Sequence, residues 1–200
     1  MIKKFPKINI SLPFLVLLAI LYIMDRNMAF LPTLIAVCIH EFSHIIAIKL
    51  CGGTVKKIDI RAFGIKIDVP ELQYISYRRE IIIAAAGPAA GIITAVCASA
   101  AARFFDIEFL RFFSGINLVI SAINLIPVYP LDGGRIVLSL MLSVLSLRAA
   151  YFVSYAMTLL SVGILSGMCI ALASCNLLNP SLLIFSLYIA VCGINFRPRL

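Results

Sequence analysis

The sequence predicts an all-α polytopic membrane protein of about six transmembrane helices, with a small membrane-surface β-hairpin between spans two and three. Three observations predict it. Hydrophobic residues make up 62% of the 200-residue chain and charged residues 13%, with a mean hydropathy of +1.09, far more apolar than an ordinary water-soluble domain. Several uncharged runs reach the roughly 17 to 25 residues a helix needs to cross hydrocarbon. The basic residues gather at the ends of these runs rather than inside them.

The first run, 8–24, follows Lys3, Lys4 and Lys7; no small-residue cleavage site follows, so it reads as a retained span, not a removed signal. Span two is 28–48, with Pro32 in its opening turn, where a missing amide costs no helical bond. Span three is 81–102 and span four 112–126, the latter ended by Pro127 and Pro130 just before Asp132-Gly133-Gly134. Residues 136–147 are too short for a crossing of their own and either extend span four beyond the break or lie along the interface. The stretch 149–196 is long enough for two crossings, with Cys175-Asn176 and Asn179-Pro180 as the turn between them. Between spans two and three, residues 54–69 alternate apolar and charged side chains with the period of a strand, and Gly64 is the expected turn of a hairpin.

With both termini in the cytoplasm, every Lys and Arg except Arg26, Arg103 and Arg111 falls on the cytoplasmic side. The net charge of +8 is thereby explained by topology and attraction to anionic lipid in the cell membrane. No basic helix or aromatic-lined groove offers itself to nucleic acid. The six cysteines form no CxxC pair and lie mostly in apolar runs, where packing is their expected role. The whole chain, 1–200, reads as one membrane domain with a catalytic core at about 28–134.

The chemistry is concentrated in His40-Glu41-Phe42-Ser43-His44, which holds the chain's only two histidines in the middle of span two. Residues four apart share a helix face, so both imidazoles can reach one cation while Glu41 holds a water beside it. Each ionisable group at the centre of a membrane helix costs on the order of 2.5 to 3.5 kcal/mol, which a bound cation offsets. Catalytic zinc commonly takes three protein ligands. Asp132, in the broken stretch 124–134, is the favoured third; Glu80 is the main alternative, although Arg78 and Arg79 suggest that it is a solvated partner at the interface, and Asp68 and Glu71 look equally wet.

Two separated motifs, HEFSH at 40–44 and NLIPVYPLDGG at 124–134, together with Gly87-Pro88-Ala89-Ala90-Gly91, resemble the site-2 protease family of intramembrane metalloproteases, in its short sporulation-type branch. The resemblance covers about 100 residues. It implies one Zn2+ per chain held by His40, His44 and Asp132, with Glu41 as general acid/base. It also implies close packing at Gly87, Pro88 and Gly91, and contact of Asn124 with substrate or oxyanion. The implied substrate is a membrane-associated regulatory protein, such as an anti-sigma factor or sigma-factor precursor, with membrane regulatory proteins as further partners. The chain ends soon after its last span, so the nucleotide-sensing tail of some relatives is expected to be absent. A metal transporter is the principal competing class, and an inactive scaffold a third; neither accounts for Glu41 in its motif.

Overall fold

The computed structural model describes residues 7–25, 28–61, 64–70, 76–175 and 180–195. Lys3, Lys4, Arg26, Glu71, Arg197 and Arg199, which enter the charge and ligand expectations, lie outside them. The order is strand β1 (Lys7–Ile10), helices α1 (Leu12–Met24) and α2 (Phe30–Leu50), strands β2 (Lys57–Arg61) and β3 (Gly64–Asp68), then α3 (Tyr77–Phe105), α4 (Glu108–Asn124), α5 (Asp132–Val144), α6 (Leu147–Ser174) and α7 (Pro180–Asn195). Among the described residues, α2, α3 and α6 are long and apolar enough to cross a membrane, and α1 is a shorter apolar helix.

The N-terminal run departs from expectation. Residues 7–10 are strand, not helix, and α1 has 13 residues, about 20 Å of helix against roughly 30 Å of hydrocarbon. Ser11 begins the helix with Pro13 in its first turn, where no intrahelical donor is lost. The predicted hairpin is a three-stranded sheet in the order β1-β2-β3, with β1 parallel and β3 antiparallel to β2. Gly64 is not the turn: it opens β3 and pairs with Arg61. The β1 strand was illegible because a four-residue apolar segment beside a longer apolar run has no period of its own.

The sheet sits at the C-terminal end of α2. That end is closed by a Schellman turn in which Gly52 takes φ +83°, its amide bonds Lys49 O, and Gly53 N bonds Ile48 O at 2.9 Å. The chain then folds back, and Val69 and Ile67 of the sheet region pack on Ala47, Ile48 and Ile83, joining sheet, α2 and α3 in one apolar cluster.

Helix α3 is the centre of the bundle, packing against α2, α4 and α5. Contacts along it run in one order: Ser114 Oγ donates to Ala95 O, Gly91 packs on Ser121, and Arg135 pairs with Glu80. Helices α4 and α5 therefore descend α3 as one antiparallel path broken at 125–131, which places the segment the sequence left open. Small and hydroxylic residues line the α3–α4 seam because, without a hydrophobic drive between helices in lipid, association depends on close approach.

The break is tightly folded. Val128 N bonds Ile126 O and Leu131 N bonds Val128 O, and Thr158 of α6 reaches Pro127 O. A Cβ on Gly133 would strike the Leu125 and Ile126 backbone, and one on Gly134 the backbone of Val128 and Tyr129. The two glycines after Asp132 thus let the loop lie directly on the first turn of α5.

Candidate metal centre

His40 and His44 stand one turn apart in the middle of α2, on the face turned toward α3 and α5, and both are buried. Asp132, also buried, is the first residue of α5 and is aimed into the same space by the broken segment. The separations are nearly equal: His40 Nε2 to Asp132 Oδ2 is 3.1 Å, His44 Nε2 to Asp132 Oδ2 is 3.1 Å, and the two Nε2 atoms are 3.2 Å apart.

That triangle fits a metal better than it fits a hydrogen-bond network. His44 Nδ1 lies 2.7 Å from Ile83 O, and a carbonyl oxygen only accepts, so Nδ1 carries the proton. A neutral His44 then turns the lone pair of Nε2 toward a carboxylate oxygen and a second imidazole nitrogen. Neutral rings leave at most one proton, on His40, to share among three converging acceptors; a cation satisfies all three at once. Zinc with bonds of about 2.0 to 2.2 Å places neighbouring tetrahedral ligands roughly 3.3 Å apart, close to the spacing seen. Among the described residues these are the three His, Cys, Asp or Glu side chains whose ligand atoms cluster in this way.

Helix α3 supplies what surrounds the triangle. Residues 80, 83 and 87 share one of its faces. Ile83 offers its carbonyl to His44, and a Cβ at Gly87 would lie 2.7 Å from His40 Nε2 and closer still to His44 Nε2. Gly87 is therefore the clearance that lets both imidazoles stand against α3. The Nδ1 of His40 is buried with no partner among the described residues, so packing, not a second hydrogen bond, sets that ring.

Glu41, partly buried, interacts electrostatically with His40, His44, Asp132 and Arg135. Asn124 is at the last turn of α4, where its amide donates to Ile120 O. Glu80 is not among the three clustered ligands and its partner is not Arg78 or Arg79. It accepts from Arg135, Nη2 at 2.7 Å and Nε at 3.1 Å, while Arg135 Nη1 is 3.4 Å from Asp132 Oδ1. The expectation failed because sequence neighbours at 78 and 79 point to other faces of α3, whereas Arg135 arrives from another helix. Arg135 was itself missed, although its spacing of three from Asp132 is the signal of a helical ion pair. The Ile83 carbonyl has no side-chain signature and left none to find.

Comparison with known proteins agrees with this geometry. The peptidase family M50 model matches residues 101–168, a segment that contains Asp132 and Arg135. A zinc metalloprotease of Methanocaldococcus jannaschii is 32% identical over 132 residues, covering 62% of this chain and 38% of that protein. Stage IV sporulation protein FB of Bacillus subtilis is 30% identical over 142 residues, covering 70% of this chain and 49% of that protein. The chain thus spans less than half the length of the curated relatives it matches. The solved site-2 protease from M. jannaschii superposes with a TM-score of 0.66 at 26% identity, covering 98% of this chain and 94% of that one. Apolar helices, a three-ligand cluster able to hold zinc and these matches converge: this chain carries a peptidase family M50 match around its third ligand and is similar in sequence and fold to site-2 proteases.

Proposed function

We propose that the chain is an intramembrane zinc metalloprotease that hydrolyses a peptide bond in or near the membrane segment of a membrane-associated regulatory protein, of the anti-sigma-factor or sigma-factor-precursor class. The observation that carries this reading is the convergence of His40 Nε2, His44 Nε2 and Asp132 Oδ2, with Glu41 one residue from the first ligand. The likeness to a sporulation protein supports the substrate class.

Zinc held by the three ligands supplies Lewis acidity, which makes water nucleophilic near neutral pH and polarises a carbonyl. Glu41 removes a proton as water oxygen attacks the scissile carbonyl carbon, then delivers that proton to the amide nitrogen as the C–N bond breaks. Asn124, from the end of α4, donates to the developing oxyanion. The buried surroundings of His40, His44 and Asp132 keep bulk water from weakening these charges.

In the same reading the bilayer is crossed six times, by α2, α3, the broken α4–α5 path, α6, α7 and also by α1, which is short for a span but must lead from the sheet at the C-terminal end of α2 to the opposite end where α2 begins, with both termini cytoplasmic by the distribution of Lys and Arg. The sheet then lies on the cytoplasmic surface. Its edge strands are β1 and β3, and an extended substrate segment adds to β3, so that backbone bonds hold it while its helix unwinds.

Co-expression with a membrane-tethered candidate substrate, comparing the parent with Glu41→Gln, tests the proposal. Glu41→Gln is expected to hold zinc at the parent level while cleavage falls by about 10²- to 10⁴-fold. Full cleavage by metal-loaded Glu41→Gln would remove the acid/base assignment.

A further inference from the structure

A carboxylate can offer a metal one oxygen or two, and Asp132 offers these histidines only Oδ2. Its other oxygen faces Arg135 Nη1 at 3.4 Å, three residues further along α5. Arg135 is in turn held from the opposite edge of its guanidinium, because Glu80 Oε1 takes both Nε and Nη2. The side chains of Arg135 and Glu80 are only 27% and 20% exposed, so neither charge is free to turn into water. One end of this chain is anchored in α3, three residues before the carbonyl that fixes His44.

We propose that Arg135 and Glu80 are positioning residues for the third ligand. Arg135 occupies Oδ1 of Asp132, so that one oxygen alone is presented to the metal, and Glu80 sets the plane of the guanidinium that does so. The inference rests on the metal-site reading given above. Three helices are coupled by it: α2 carries the imidazoles, α5 the carboxylate, and one face of α3 orients both kinds of ligand. A lysine cannot replace the arginine fully, because a single ammonium cannot bridge Glu80 and Asp132 with the fixed fork that a guanidinium presents.

The test is zinc affinity of purified full-length protein in detergent, read by competition with a chromogenic chelator. The visible spectrum of the Co2+-substituted protein gives a second readout of ligand geometry. Arg135→Gln is expected to weaken zinc roughly 10- to 100-fold, the range typical of residues that orient metal ligands. Glu80→Gln should weaken it by about tenfold and shift the Co2+ bands in the same direction, and Arg135→Lys should fall between Arg135→Gln and the parent. In the Arg135→Gln background Glu80→Gln should add no further loss, because Glu80 acts through Arg135. Thermal unfolding of the apo proteins identifies any variant that fails to fold; if Arg135→Gln does, Glu80→Gln and Arg135→Lys carry the test. His44→Ala separates the two ways of failing. If it loses zinc while Glu80→Gln and the folded Arg135 variants keep parent affinity and parent Co2+ bands, the positioning role is overturned and the metal site stands. If His44→Ala also binds zinc as the parent does, the metal-site reading falls, and this inference falls with it.

Discussion

Helices α2 and α6 are alike as membrane segments, with mean hydropathies of 1.7 and 2.1 over their best windows, and yet α2 has a third of that window buried in protein and α6 about a tenth. Apolarity says that both belong in lipid; it does not say which one faces it. In α2 the buried positions include His40 and His44, which α3 and α5 must enclose because lipid offers them no hydrogen bonds. In α6 large side chains such as Phe152, Leu160 and Ile164 point outward, exposed at 63% or more, and the few buried positions are small or hydroxylic. The difference teaches that polar groups, not apolar ones, dictate how a membrane bundle is arranged, since the solvent already accepts the apolar surface.

The comparison can be broken most decisively at α2. His44→Ala removes a ligand, and zinc content measured by mass spectrometry is expected to fall below about a tenth of the parent with cleavage at background. Full zinc occupancy in that variant would mean that α2 is only another lipid-facing rod. Next comes a matched pair of glycines. Gly87→Ala drives a methyl into both imidazoles and should cut zinc affinity at least about tenfold, with a stability loss of about 1 to 3 kcal/mol. A smaller effect is expected from Asn124→Ala, where kcat should fall about tenfold or more while KM and zinc content stay near the parent. A rise in KM alone would move Asn124 from the oxyanion to substrate binding. The smallest belongs to α6. Gly163→Ala, whose Cβ would meet nothing within 4 Å, should leave zinc and cleavage unchanged and shift stability by no more than about 1 kcal/mol.

Those glycines also show how far the sequence could be read. Gly87 and Gly163 both sit in apolar runs that composition does not tell apart, and only the resemblance of Gly87-Pro88-Ala89-Ala90-Gly91 to a family motif marked Gly87 for close packing, without showing that it touches the metal ligands. His40 and His44 were legible because their spacing is itself the geometry: one helix carries both, and 3.6 residues per turn places them together. Asp132 was legible as a favoured ligand because prolines and glycines mark a broken backbone at membrane depth, where a carboxylate needs a reason to be. Glu80 was a rival because zinc proteases often take a downstream glutamate as third ligand, and only the position of Arg135 shows what it holds. The β1 strand was hidden because its partner, β2, lies 50 residues away and strand pairing between distant segments leaves no mark on either.

Composition and periodicity alone settled that the chain lives in lipid, roughly where its long helices run, and that two histidines share one helix face, since these depend only on local hydration and helical pitch. The tertiary structure alone decided that α4 and α5 form one broken path along α3, that an α3 carbonyl selects the His44 tautomer, and that Arg135 links Glu80 to Asp132. Each of these is a contact between segments far apart in sequence. In a medium that gives polar groups no partners, such contacts are chosen by which buried donors and acceptors can meet, and that is a property of the assembled bundle.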